Sequence, residues 1–266
     1  MNRLERLVAT GRAARERNVA AFRRQFSVDD RALAAIAAAF IVTAATLIGL
    51  GGLTDNVTDG DGLVAGDSVH LRFFVEHRTA GIVHSAELIT NLGSFAVLAG
   101  IAVLTGLVLW SRGTPLGLAV APAAALSISA ATVSIVKYVI DRTRPPLELR
   151  LVAESAPSFP SGHAGNSASL YIALGLVVAI TTLHRPLARV GAVTAGVMLG
   201  GVIGLSRLVL GVHWPSDVLA GWALGAAVAV LVVTVLALIV RLDPAMVEID
   251  ARGRRQVLRL LASHRT

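Results

Sequence analysis

Two histidines in this 266-residue chain stand beside groups able to make them react. In HWPSD (213–217), Pro215 suits the first position of a helix and Asp217 its first turn, so His213 hangs just before the helix with a carboxylate four residues on. Hydrogen-bonded by that carboxylate, an imidazole is held in one tautomer with raised nucleophilicity. In PSGHAGNSASL (160–170), Pro160, Ser161 and Gly162 open a polar-to-apolar helix start with His163 in its first turn. The free backbone N–H groups of such a start form an anion site. Three cations, Lys137, Arg144 and Arg207, lie near these stretches in KYVIDRTRP (137–145) and SRLVLGVHWPSD (206–217) and can hold an oxyanion through charge-assisted bonds. The types together suggest phosphate: His213 attacks phosphorus, while His163 gives a proton to the leaving oxygen and later activates water. Lys137 is the only lysine among 24 basic residues.

The elements that must position these groups are membrane spans. A chain that is 55% hydrophobic and 15% charged, with a mean hydropathy of +0.70, is outside the balance of a soluble domain. About 20 mostly apolar residues cross the hydrocarbon core as a helix, and six stretches qualify: 33–53, 92–110, 116–136, 164–183, 190–210 and 218–240. The expected fold is an all-α, polytopic six-helix membrane domain over residues 33–240. A basic amphipathic arm (1–32), with Leu4, Leu7 and Val8 at helical spacing among arginines, is expected to precede it and lie on the membrane surface as an uncleaved segment. A basic tail (241–266) follows.

Arginine sets the orientation, because cytoplasmic flanks carry the Lys/Arg excess. The arm holds eight arginines up to Arg31, the tail begins at Arg241, and the short links 111–115 and 183–189 carry Arg112, Arg185 and Arg189. Both termini are therefore expected in the cytoplasm of a cell whose plasma membrane the chain crosses six times. The three polar motifs then fall together on the extracytoplasmic side. The net charge of +7 is accounted for by this topology and by anionic headgroups; no aromatic and basic interleaving points to nucleic acid as a partner. The absence of cysteine removes disulfides and thiolate chemistry.

Residues 54–90 form an outer segment that opens with an acidic turn containing Asp59 and Asp61. One or two surface helices are expected to follow. His70, His77 and His84 recur every seven residues, near one helical face; without a matched carboxylate they read as surface residues, and no metal site is expected. Gly196, Gly200 and Gly204, four apart, form a small-residue stripe for close helix packing.

In order and spacing the three motifs resemble those of the type 2 phosphatidic acid phosphatase superfamily: Lys137 with Arg144-Pro145, then Pro160-Ser161-Gly162-His163, then Ser206-Arg207 with His213 and Asp217. The resemblance implies an integral membrane phosphatase that needs no metal or other cofactor and works through a phosphohistidine intermediate. It implies a nucleophile at His213, an orienting carboxylate at Asp217, an acid and base at His163, and phosphate binding by Lys137, Arg144, Ser161, Gly162 and Arg207. The expected substrates are lipid phosphates or diphosphates, of the phosphatidic acid or polyprenyl diphosphate type, reached from the bilayer. TNLGS (90–94) also looks like a family segment, without assigned chemistry.

Other readings use the same residues. A phosphotransferase between lipids would share the site; a noncatalytic phospholipid-binding protein would bind without releasing phosphate. A transporter would place charges or broken helices near span centres, and these spans are nearly free of charge. The vanadium haloperoxidases resemble the family at the same pocket, but six apolar spans count against a soluble oxidoreductase. Singly, each residue also has a structural use: Lys137 pairing with Asp141, Arg207 snorkelling, His213 in an interfacial belt. Asp141 and Arg142 read as structural or rim residues. If the third helix continues past Lys137, that residue and Arg144 share one face.

Overall fold

A computed structural model describes residues 30–242 of the chain. The arm expected over 1–32 and the tail expected from 241 lie almost wholly outside these residues. The described residues fold as nine α-helices without a strand: α1 (Asp30–Asp59), α2 (Asp67–Glu76), α3 (Ala80–Asn91), α4 (Phe95–Ser111), α5 (Leu116–Ala119), α6 (Ala121–Ile140), α7 (Gly162–Thr181), α8 (Pro186–Val209) and α9 (Pro215–Leu242).

Five of these, α1, α6, α7, α8 and α9, are each long and apolar enough to cross a membrane, and α3 with α4 qualifies as a pair bent by 53°. The protein is thus an all-α polytopic membrane protein; the expected second span (92–110) falls on α4, which has the length to cross only when taken with α3 as one bent pair. Its bend falls at residues 92–94, where the Tyr171 hydroxyl donates to the Leu92 carbonyl (3.1 Å). The expected third span is also shifted. Pro122 in the first turn fixes the start of α6, and the preceding residues make the separate single turn α5.

The central helix is α7, most of whose residues are buried, while α1 shows most of its surface. Phe40, Ile41 and Ile48 of α1 are exposed and suit a lipid-facing wall. Around α7 pack α6, α8 and α9, and α1 lies against α9. The glycine stripe of α8 does what its spacing predicts. A Cβ on Gly196 would stand 2.3 Å from the Tyr171 carbonyl oxygen, and one on Gly204 2.3 Å from the Trp222 indole nitrogen. Trp222 Nε1 donates instead to the Gly200 carbonyl (2.9 Å), joining α9 to α8 inside the bundle.

Alternating helix directions bring the ends of α6 and α8 and the starts of α7 and α9 to one end of the bundle. There α6 stops at Ile140: Asp141 takes a left-handed conformation (φ 45°), which Asp tolerates better than most residues, and the Arg144-Pro145-Pro146 run cannot continue a helix. The shared helical face expected for Lys137 and Arg144 is therefore absent; Arg144 reaches the site from a loop. Gly211 (φ +70°) turns the chain from α8 toward His213, where a Cβ would lie 2.0 Å from the Leu149 carbonyl oxygen. The opposite end carries Arg112, Arg185 and Arg189 in its links, together with Arg241.

The outer segment is a 3-10 turn (Gly62–Gly66) and α2, after which Thr79 caps α3 by accepting from the Ile82 N–H (3.3 Å). Because α2 ends at Glu76, His70, His77 and His84 do not share a helical face. The Arg78 guanidinium donates to the Val209 (2.6 Å) and Leu149 (2.8 Å) carbonyls, tying this segment to the end of α8.

A Gly196→Ala substitution should lower stability by about 1–3 kcal/mol, since backbone rather than a movable side chain opposes the new methyl. Gly201→Ala on the same helix meets nothing within 4 Å and serves as the control. Thermal unfolding in detergent compares them, and equal midpoints would reject the stripe as a packing contact.

Candidate active site

Asp217 has no exposed surface, and its carboxylate is filled by donors. Oδ2 accepts from the Ser158 hydroxyl (2.5 Å) and the Trp214 N–H (2.9 Å) and lies 3.2 Å from His213 Nδ1; Oδ1 accepts from Arg142 Nη1 (2.5 Å). On the far side of the imidazole, Arg144 Nη1 approaches His213 Nε2 at 3.2 Å. A guanidinium only donates, so Nε2 is the acceptor and Nδ1 carries the proton given to Asp217. That tautomer aims the Nε2 lone pair at the cations. Burial pushes the His213 pKa from 6.5 down to about 4, against the opposing pull of Asp217.

The cations converge as the motifs predict. Besides His213, Arg144 donates to the carbonyls of Val212 (2.7 Å) and Ala156 (2.6 Å), which hold its loop in place. Arg207, 2% exposed, donates to Thr90 Oγ1 (2.8 Å) and to Glu154, while its Nε is buried without a partner among the described residues. Glu154 also lies 3.6 Å from Arg144 Nη2. Burial alone would raise the Glu154 pKa, but Arg207 and Arg144 outweigh it and hold the carboxyl below its ordinary range. This carboxylate is the anion that the two guanidinium groups hold. Lys137 donates to the Pro157 carbonyl and, at 3.3 Å, to that of Ser158. It therefore braces the strand of chain leading into Pro160, close enough to Arg144, Glu154, Arg207 and Asp217 to feel their charges.

Ser161 caps α7, its Oγ accepting from the Ala164 N–H (3.5 Å), and its own N–H donates to the Asp217 carbonyl (2.9 Å). The first helical bond of α7 runs from the Gly165 N–H to the Ser161 carbonyl (2.9 Å), so the N–H groups of Gly162 and His163 lie ahead of it, as an anion site requires. The His163 ring faces the α3–α4 break: a Cβ on Gly93 would stand 3.1 Å from its Cδ2. All eight residues expected at the site thus gather at one end of the bundle.

Four residues were not expected there. Thr90 sits in TNLGS, a segment to which no chemistry was assigned, and its contact with Arg207 explains the placement. Glu154 and Ser158 belong to the link before Pro160 and carry no periodic signal. Arg142 is no rim residue: its side chain, 11% exposed, bridges Asp217 and Asp67. The pairing of Lys137 with Asp141 does not occur as an ion pair among the described residues, where a backbone bond links them instead (Asp141 N–H to Lys137 carbonyl, 3.0 Å). No group of three or more His, Asp or Glu arranged to hold a metal ion occurs among the described residues.

Comparison with known proteins follows the same residues. The chain is 43% identical over 93 residues to phosphatidylglycerophosphatase B of Bacillus subtilis, covering 34% of this chain and 44% of that protein. It is 31% identical over 134 residues to an undecaprenyl-diphosphatase of Sulfolobus acidocaldarius (48% of this chain, 59% of that one). It is 35% identical over 101 residues to a decaprenylphosphoryl-5-phosphoribose phosphatase of Mycobacterium tuberculosis (37% and 50%). The chain spans about half the length of these curated relatives. The crystal structure of a transmembrane PAP2 type phosphatidylglycerolphosphate phosphatase from Bacillus subtilis superposes with a TM-score of 0.66 over 71% of this chain and 93% of that one, at 24% identity, a likeness of fold. Residues 118–240, which hold every motif residue of the site, match the model of the PAP2 superfamily.

Proposed function

We propose that this protein is an integral membrane phosphatase that hydrolyses lipid phosphates or diphosphates through a phosphohistidine intermediate without a metal ion. The observation that carries the reading is His213, with Nδ1 on the buried Asp217 and Nε2 facing Arg144 beside Arg207. Substrate phosphate takes the position of the Glu154 carboxylate, held by Arg144, Arg207, Lys137 and the N–H groups that open α7, with Ser161 completing the cradle. His213 Nε2 then attacks phosphorus and the P–O bond to the leaving group breaks. His163 gives that oxygen a proton. In the second step His163 takes a proton from water, the resulting hydroxide attacks phosphorus, the P–N bond breaks, and inorganic phosphate leaves with His213 restored. The cations do the charge stabilisation that a metal supplies elsewhere.

A lipid substrate suits a site at the end of spans whose flanks are apolar and exposed, since its chains stay in the bilayer while the headgroup reaches the cations. Relatives named for phosphatidylglycerophosphate, undecaprenyl diphosphate and decaprenylphosphoryl phosphoribose support that class. Arg112, Arg185, Arg189 and Arg241 at the far end support, by the positive-inside bias, a site on the extracytoplasmic side of a prokaryotic plasma membrane with both termini in the cytoplasm.

Phosphate release from a panel of lipid phosphates and diphosphates tests the reading. His213→Ala should lower turnover by roughly four orders of magnitude or more, and His163→Ala by about 10²–10⁴. Activity should persist in EDTA and yield to vanadate; normal turnover by His213→Ala, or loss with chelator restored by Mg²⁺, rejects the mechanism. Lys137→Arg should cost a clear part of turnover, because a planar fork cannot replace a compact ammonium packed against two carbonyls; unchanged kinetics would make Lys137 an ordinary cation.

The neutral His213 also predicts a pH dependence of stability. Folded, it takes up a proton only below about pH 4, while the unfolded residue does so below 6.5. The unfolded chain therefore binds more protons in between, and the stability present above 6.5 is lost as pH falls toward 4. The melting midpoint of the wild type should fall more steeply across that window than that of His213→Asn. Parallel curves would show that His213 is not held neutral.

A further inference from the structure

Behind Asp217 lies a second buried carboxylate that none of the motifs contains. Asp67, 3% exposed, opens α2 in the outer segment. Its Oδ1 accepts from the Ser216 N–H (2.9 Å), and its Oδ2 from the Ser216 hydroxyl (2.5 Å) and from Arg142 Nη2 (2.8 Å). Arg142 Nη1 in turn donates to Asp217 Oδ1 (2.5 Å) and to Ser216 Oγ (2.7 Å), and its guanidinium carbon lies 5.8 Å from the centre of the Trp214 ring. One fork thus spans two carboxylates, and Asp67 satisfies a free N–H of the first turn of α9, the turn that carries Asp217.

The charges explain why two carboxylates are needed. Asp217 and Arg142 alone form a neutral pair, and a neutral pair in a dry site does little to support positive charge on His213. Asp67 returns the net charge of the cluster to −1, in surroundings where one charge carries far more weight than in water. The other charged or titratable groups facing His213 are Arg144 from the loop after α6, Arg207 from α8, Glu154 from the link before α7 and His163 from α7. The cations exceed the anions on that side.

Resting on the phosphatase reading above, we propose that Asp67 is a positioning residue for phosphoryl transfer: through Arg142 and Ser216 it fixes Asp217 against His213 and preserves the negative charge that supports the imidazole. The outer segment is thereby part of the working site rather than a cover over it.

The test uses the full chain in detergent, with short-chain phosphatidic acid as the probe, and compares wild type, Asp67→Asn, Arg142→Met, the double variant and His213→Ala. Asp67→Asn should lower kcat by about tenfold to a hundredfold with little change in KM. Its acid limb of kcat should move to lower pH by about half a unit, because an imidazole that loses a negative neighbour is less basic. Arg142→Met should move the limb the other way, and the double variant should bring it back near the wild-type position. A merely structural loss lowers the active fraction and leaves the limb in place, so unmoved limbs in both single variants overturn the proposal. If Asp67→Asn gives no monodisperse protein, Arg142→Met decides by the same criterion. A wild type that releases no phosphate, or a His213→Ala that matches it, removes the phosphatase reading and this proposal with it. An active wild type with a dead His213→Ala, beside an Asp67→Asn of normal kcat and limb, removes this proposal alone.

Discussion

A buried carboxylate governs the open end of this bundle. Removing an ion such as Asp217 from water costs several kcal/mol unless donors replace its hydration, and here Ser158, Trp214, Arg142 and His213 do so. Those donors come from the link between α6 and α7 and from the turn that precedes α9. Each segment is consequently confined to one path. The tautomer of His213, the course of the loop carrying Arg144 and the seating of α9 all follow from satisfying that one group.

The same end shows how a membrane protein keeps a polar site without polar spans. Lys137 and Arg207 lie in the last turns of α6 and α8, and His163 and Asp217 in the first turns of α7 and α9. Between those ends the helices meet through small residues and few charges, so backbones come close where Gly196 and Gly204 face α7 and α9. Close packing then holds the four helix ends in fixed relation. A tightly packed apolar bundle is what permits a cluster of charges to be precise at its rim.

Much of this was legible in the chain. Apolar runs of about 20 residues must be helices in lipid, because only a helix satisfies its own backbone there, and six runs were identified. The breaks were not: TNLGS reads as continuous with the span after it, and the bend at residues 92–94 depends on Tyr171 and on the space left by Ile203. The end of α6 at Asp141 was missed for a similar reason, since a left-handed Asp leaves no periodic mark. All eight motif residues do meet, for an even crossing pattern forces their span ends to one side. Glu154 and Asp67 escaped notice, and Thr90 and Arg142 were noted only as part of a family segment and as a structural or rim residue, because a single charged or hydroxyl residue has no spacing that gives it a role.

By itself the sequence determined the membrane class, the apolar runs, the residue types able to handle phosphate and their gathering at one end of the bundle. These depend on hydropathy and on order along the chain, which are local or countable. Only the tertiary structure decided which lone pair of His213 is free, which carboxylate occupies the two guanidinium groups, and that α2 supplies Asp67 to the far side of Arg142. Those outcomes are contacts between residues remote in sequence, selected by the cost of burying charge without a partner, and no pattern along the chain encodes that cost.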